Sequence, residues 1–381
     1  MGDSSPQKPE AYIVHKGLDG IYVKESKICF IDGKNSKLFY RGYNIDELAE
    51  TSTYEETAYL LLHGKLPTKN DLNEFDNTIK QNRKLPEQLI KFIQLYPRDG
   101  NTMDMLRTAV SALGIYDTSS KTNLEKAVKV MSSITTITSA FERVRRGQPI
   151  ILPDETLSYA ENFLYMLTGE KPNSYDAHVL DIFLILHAEH EMNASTFSCT
   201  VTAATLSDMY SALTSGIGTL KGPLHGGANE EALKTILKVG KPENAEPYVK
   251  EAISNSQRIM GFGHRVYRNF DPRYTVLKKI SRELAERKGK TLIYSTAEAI
   301  EDAAVKHLSS IGVFPNVDSY SGLVLNLIEI PTDLFTPIFA ISRTAGWSAH
   351  ILEYLKDNRL IRPKAYYSGE LNQKYVAIEK R

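Results

Sequence analysis

Leu124-Glu125-Lys126-Ala127-Val128-Lys129-Val130-Met131-Ser132-Ser133-Ile134-Thr135-Thr136-Ile137-Thr138-Ser139-Ala140-Phe141-Glu142-Arg143-Val144 sets the class of the whole chain. Its apolar residues Leu124, Val128, Met131, Ile134, Ile137, Phe141 and Val144 recur at intervals of three or four. That spacing draws one apolar stripe along a long helix ending before Gly147. The stripe needs a partner, and the chain around it supplies candidates. Helical patterns follow Asp154, Ser174, Gly227, Pro247, Pro272 and Phe335. Thr53, with Glu56 three residues on, reads as a capping box opening a helix through Leu60, Leu61 and Leu62 that stops at Gly64. Strand candidates are few. Ile21-Tyr22-Val23 and Ile28-Cys29-Phe30-Ile31, the latter followed by the turn Asp32-Gly33, predict a small strand pair. The expected class is a mostly α fold with a small N-terminal β element.

A chain of 381 residues exceeds what one core usually supports, so two domains are expected. The stretch from Gly216 to Gly227 and the region around Gly322 are the best hinges. They predict a large domain over 1–220, a small domain over 221–324, and a return to the large domain over 325–381. Both hinges sit beside chemically loaded turns, where a closing cleft would place them.

Composition narrows the partners. Forty-six Lys and Arg balance 46 Asp and Glu, scattered rather than clustered, so nucleic acid is not an expected partner. Cys29 and Cys199 are too few for a disulfide framework and have no metal-binding spacing, which suits a reducing, cytoplasmic setting. The start of the chain has no apolar targeting segment, and the most apolar run, Val179 to Leu186, falls far short of the roughly 20 residues that span a bilayer.

Three Gly- and Pro-rich islands carry the chemistry: Lys221-Gly222-Pro223-Leu224-His225-Gly226-Gly227-Ala228-Asn229, Met260-Gly261-Phe262-Gly263-His264-Arg265, and Pro315-Asn316-Val317-Asp318-Ser319-Tyr320-Ser321-Gly322. Each delivers one proton-transfer side chain from a turn. Two histidines and one aspartate suit the removal of a proton from carbon together with polarisation of a carbonyl. His225 precedes Glu230 and Glu231 in a first helical turn, where the helix dipole disfavours imidazolium; the bland alternative is a histidine that caps the helix. For His264 it is a structural histidine in a tight loop whose glycines allow close approach to a ligand, and for Asp318 an N-cap of the helix through Leu323. Gly261-Phe262-Gly263 lacks the third glycine and the preceding strand of a dinucleotide fingerprint. His187 and His190, three apart and expected on one helix face, match no zinc-protease pattern and leave a carboxylate-binding role open for His190. Arg273, Arg343 and Arg362 are natural partners for a small dicarboxylate.

Taken together the islands resemble the citrate synthase family, whose motifs read Gly-Pro-Leu-His-Gly, Gly-Phe/Tyr-Gly-His and Pro-Asn-Val-Asp in this order. The resemblance runs from Phe30-Ile31-Asp32-Gly33 through Tyr40-Arg41-Gly42-Tyr43 to Arg362-Pro363-Lys364-Ala365, nearly the whole chain, and looks like the short archaeal and Gram-positive form. It implies a two-domain helical homodimer that closes over oxaloacetate and acetyl-CoA. His225 would stabilise the enol of acetyl-CoA, Asp318 would remove its methyl proton, and His264 would polarise the oxaloacetate carbonyl. His190, Arg273 and Arg343 match oxaloacetate-binding positions, and Arg362 matches one supplied by the partner subunit. Arg258, Ile259, Met260, Gly261 and Phe262 match the backbone stretch that holds the adenine of CoA. No permanent cofactor and no metal are implied; acetyl-CoA is a cosubstrate.

One departure stands out: long forms carry Gly-Gly after the His-Glu of the substrate histidine, and this chain has His190-Glu191-Met192-Asn193. Methylcitrate synthases share the motifs, so propionyl-CoA stays open as a second or preferred substrate; one methylene is worth only about 1–3 kcal/mol. From other classes, a metal-dependent hydrolase built on His187 and His190 and a non-catalytic helical scaffold remain as alternatives.

Overall fold

The computed structural model describes residues 12–117 and 121–381. Among them are sixteen α-helices and one small sheet. Strands β1 (Cys29–Asp32), β2 (Lys37–Tyr40) and β3 (Tyr43–Asn44) form an antiparallel meander, with Cys29 opposite Tyr40 and Asp32 opposite Lys37. The expected partner of β1 was Ile21-Tyr22-Val23, and this is corrected: those residues form no strand and Tyr22 is 96% exposed. Asp32 decides the matter. Its carboxylate accepts from the amides of Lys34 and Asn35, turning the chain forward so that Leu38 and Tyr40 enter the core in alternation with Lys37 and Phe39.

The helices are α1 (Ile45–Thr51), α2 (Tyr54–His63), α3 (Lys69–Gln81), α4 (Glu87–Leu95), α5 (Thr102–Tyr116), α6 (Asn123–Arg145), α7 (Tyr159–Thr168), α8 (Ser174–His187), α9 (Ala194–Ala204), α10 (Met209–Leu220), α11 (Ala228–Val239), α12 (Ala245–Ser254), α13 (Pro272–Arg287), α14 (Thr291–Leu308), α15 (Asp318–Leu327) and α16 (Phe335–Tyr354). Helix α2 begins and ends where its caps require. Thr53 accepts from the Glu56 amide and Gly64 adopts φ +80°. The Glu56 carboxylate takes the Ser52 hydroxyl rather than closing a full capping box. The helix expected after Asp154 starts after Ser158, which forms a complete capping box with Glu161.

Helix α6 is more deeply buried than its stripe predicts. From Val130 to Val144 its whole circumference is covered, including Ser132, Ser133, Thr135, Thr136, Thr138 and Ser139. Hydroxyls are tolerated there because each finds a carbonyl: Ser132 that of Val128, Thr138 that of Ile134, Thr136 that of Arg83. Helices α4, α5, α7, α10 and α16 pack around it, and α16 is itself buried from Phe335 through Ile351 apart from Thr336.

The described residues fall into two compact units. Ser26–Arg359 is one; the segments 12–25 and 360–381 form the other, in which the rings of Tyr12 and Tyr366 stack and Arg362 is exposed. Among the described residues no helix is long and apolar enough to cross a membrane.

Candidate active site

Within Ser26–Arg359, a cavity of about 1000 Å³ gathers His190, His225, His264, Arg273, Asp318 and Arg343, together with Arg258, Ile259, Met260, Gly261 and Phe262. Its volume stands at the upper end of small-molecule sites. Residues separated by more than 150 positions meet there because the loops after α8, α10 and α12, the starts of α13 and α15 and the body of α16 converge.

The second and third islands are stitched into one construction. Phe262 forms an antiparallel bridge with Pro315. The Gly263 amide donates to Phe314 O, the Asn316 amide to Gly261 O, and Asn316 Nδ2 to Gly263 O. Gly261, at φ +87°, lies so close to α15 that a Cβ there would stand 2.7 Å from Ser319 Cα. The glycine is therefore required by the neighbouring helix; the close approach read as a route to a ligand is, at this position, an approach to protein.

Asp318 is the first residue of α15 and does not cap it; Asn316 Oδ1 accepts from the Asp318 amide instead. The bland N-cap reading is thereby set aside, and the carboxylate is left to the cavity. Burial pushes Asp318 up from 3.8 to about 6, with Arg273 opposing the rise and Asp271 adding to it.

His264 Nδ1 accepts from the amides of Val266 and Tyr267, at 3.0 and 3.1 Å. Two donors on one nitrogen fix the tautomer, so the ring proton sits on Nε2. Burial brings this histidine down to about 4, with Asp271 raising and Arg273 lowering it. At neutral pH it is an uncharged hydrogen-bond donor.

His225 hangs from the loop between α10 and α11, two residues before the N-cap Gly227. Burial, and then the charge of Arg343, lower it to about 4. Its Nε2 lies 2.8 Å from Ser195 Oγ, which accepts from Trp347 Nε1 and donates its hydroxyl to Asn193 Oδ1.

His190 lies beyond the end of α8, which stops at His187, so the two histidines do not share a helix face. Its ring stands 5.2 Å from that of His264, edge to face, with Nε2 3.3 Å from Tyr267 Oη. Burial, Arg273 and neighbouring His264 hold it well below its ordinary value.

Arg273 is 3% exposed, and its Nε and Nη2 donate to the fully buried carboxylate of Asp271. Burial pushes Asp271 up, and the Arg273 charge more than offsets this. Arg343 is 1% exposed, donates from Nε to His187 O, and lies over the Phe339 ring. Burial lowers it to about 10, so it keeps its charge at neutral pH. Its two terminal nitrogens have no protein acceptor among the described residues.

A metal reading on His187 finds little to build with. His187 Nδ1 bonds Phe183 O and its ring stacks on Phe183. Among the described residues the group whose potential ligand atoms converge is His190, His264 and Asp271. There Asp271 already accepts three Arg273 donors, and that guanidinium opposes a second cation.

Several contributors escaped the sequence reading. Ser195 reaches His225 across 30 positions of the chain, and Trp347 reaches Ser195 across 152. Asp271, adjacent to Pro272, showed only as a helix start, and Phe339 only as part of an apolar pattern. Asp271-Pro272-Arg273 is the one local signal that could have suggested such a pair.

Comparison with known proteins follows the geometry. Residues 17–364 match the family described as citrate synthase, C-terminal domain. The citrate synthase of Deinococcus radiodurans is 45% identical over 373 residues, spanning 97% of this chain and 99% of that one. The 2-methylcitrate synthase 2 of Corynebacterium glutamicum is 40% identical, spanning 97% and 98%. The solved ternary complex of carboxymethyl coenzyme A and oxaloacetate with citrate synthase from Thermoplasma acidophilum superposes with a TM-score of 0.92 at 36% identity, covering 97% of this chain and all of that one.

Proposed function

The chain belongs to the citrate synthase family, and from that premise we propose that it condenses acetyl-CoA with oxaloacetate and hydrolyses the resulting thioester to citrate and CoA. The observation that carries this reading is the convergence of a buried carboxylate, Asp318, with two uncharged histidines and a charged arginine in one cavity.

Arg343 offers its two terminal nitrogens to one carboxylate of oxaloacetate; His190 and Arg273 take the rest of the dianion. His264 Nε2–H donates to the ketone oxygen, drawing electron density from the carbon to be attacked. Asp318, ionised, removes a proton from the methyl group of acetyl-CoA, and the electron pair moves into the enol. His225, uncharged and held at Nε2 against Ser195 Oγ, stabilises the enol where charge develops on the thioester oxygen. The enol carbon then bonds to the polarised ketone carbon, and the resulting alkoxide, held by the His264 hydrogen bond, takes up one proton, balanced by the one Asp318 removed. Water finally replaces the CoA thiol of the citryl thioester. Arg258 to Phe262 line the same cavity and are assigned to CoA.

We further assign a cytoplasmic homodimer in which segment 221–324 closes over the remainder and Arg362 completes the partner's pocket. The family resemblance supports this. Mixing inactive Arg362→Ala and Asp318→Ala subunits under exchange conditions restores part of the activity if the site is shared; no rescue in demonstrated heterodimers counts against it.

Thiol release that requires both oxaloacetate and acetyl-CoA tests the reaction, and a folded protein showing none refutes it. The 2-methylcitrate relative keeps propionyl-CoA in play, and the ratio of kcat/KM for the two acyl-CoAs decides the preference.

A further inference from the structure

Where α14 meets α13 and α15 lies a cluster that the reaction above does not use. Glu301 of α14 is 7% exposed and reaches between α13 and α15. One carboxylate oxygen accepts from the hydroxyl of Tyr274; the other accepts from the hydroxyl of Tyr320 at 2.5 Å and pairs with Lys278 Nζ at 2.8 Å. The rings of Tyr274 and Tyr320 lie 5.8 Å apart, and Lys278 stands over the Tyr320 ring. Burial is the first cause holding both phenols above their ordinary range, so both remain donors at any pH at which the protein works.

The position of those two phenols gives the cluster its meaning. Tyr274 directly follows Arg273 in the first turn of α13, and Tyr320 is two residues after Asp318 in the first turn of α15. One carboxylate thus ties the helix start that carries an oxaloacetate arginine to the helix start that carries the base. A charge-assisted hydrogen bond in a dry setting is short and stiff. Three such contacts on one buried group fix the separation of two first turns more firmly than apolar packing does.

Resting on the proposed reaction, we propose that Glu301 is a positioning residue: through Tyr274 and Tyr320 it sets the distance between Arg273 and the general base Asp318. The charged groups that act on Asp318 are Arg273 and Asp271 at the start of α13; His190, His225, His264, Arg258, Arg265 and Arg343 line the same cavity. Of the two that act on it, Arg273 is the one that favours the carboxylate. If α15 drifts from α13, Asp318 loses that help while staying buried, and its titration moves upward.

Tyr320→Phe removes one hydroxyl and little volume, and Glu301→Gln replaces an acceptor by a donor facing a phenol. In both, kcat falls about 10- to 100-fold, as expected for a misplacement near 1 Å. KM for oxaloacetate stays within twofold in Tyr320→Phe, because Arg273 keeps Asp271. The Asp318 carboxyl, followed by carbon NMR in protein labelled at aspartate, titrates at higher pH than in the parent. A purely structural role lowers Tm and leaves kcat of the folded enzyme and the Asp318 midpoint alone. The proposal is overturned if both variants keep kcat within twofold of the parent and the midpoint does not move, whatever happens to Tm. Thiol release by the parent is read first. Its absence bears on the proposed reaction, while the NMR midpoint still decides the positioning role.

Discussion

Asp318→Asn should make the protein more stable at neutral pH while abolishing turnover. The buried carboxyl is raised from 3.8 to about 6, chiefly because its charge is taken out of water. Between those values the folded chain holds a proton that the unfolded chain releases, so folding stability declines as pH rises from about 4 to 6. Each pH unit is worth about 1.4 kcal/mol, so the ionised base costs about 3 kcal/mol above pH 6. Below pH 4 the cost vanishes, since both states are protonated. Asparagine has the same shape and no charge and escapes the penalty at every pH. For a chain of 381 residues, with unfolding entropy near 2 cal/mol/K per residue, 3 kcal/mol corresponds to roughly 4 °C in Tm. Calorimetric scans of parent and variant at pH 7.5 and pH 4 provide the assay. The variant should melt higher at pH 7.5, and the two should coincide near pH 4. An equal difference at both pH values, or a variant less stable at pH 7.5, would refute the claim that this carboxylate is held ionised at a cost to the fold.

The same displacement governs the rate: kcat/KM for acetyl-CoA should fall as pH drops through about 6, where Asp318 of the free enzyme protonates, with His225 and His264 adding nothing until about pH 4. An acid limb of kcat/KM near 4 would remove Asp318 from the role of base. Ser195→Ala withdraws the partner of His225 Nε2, and kcat should drop about 10- to 100-fold with KM for oxaloacetate nearly unchanged, since an imidazole released to turn is misplaced for the enol it stabilises. Gly261→Ala forces a Cβ against Ser319 at φ +87°, a strain of about 1–3 kcal/mol. It should lower both Tm and kcat, whereas alanine at Gly227, where nothing lies within 4 Å, should leave kcat intact.

Much of the fold could be read locally. Caps and stops around α2, the period of α6 and the start of α13 at Pro272 are decided within a turn or two, and the structure places them where local signals do. Burial on all sides of α6 could not be read, since serine and threonine look like a solvent face until carbonyls are found for them. The strand pair failed at Ile21-Tyr22-Val23 for a related reason: β pairing depends on which segment a turn brings alongside, and the Asp32 turn brought Lys37–Tyr40.

The family, and with it the mostly helical class, was determined by sequence alone, which also named the candidate proton-transfer residues, because each motif is a short run whose side chains and glycines are specified together. Tertiary structure decided their state. The tautomer of His264 follows from two backbone amides, the elevated Asp318 from burial at the start of α15, and the low values of the histidines from dry surroundings and buried arginines. Desolvation and charge–charge terms depend on what lies within a few ångströms in space, and residues such as Ser195, Trp347, Asp271 and Glu301 acquire their roles only when helices distant in the chain are packed together.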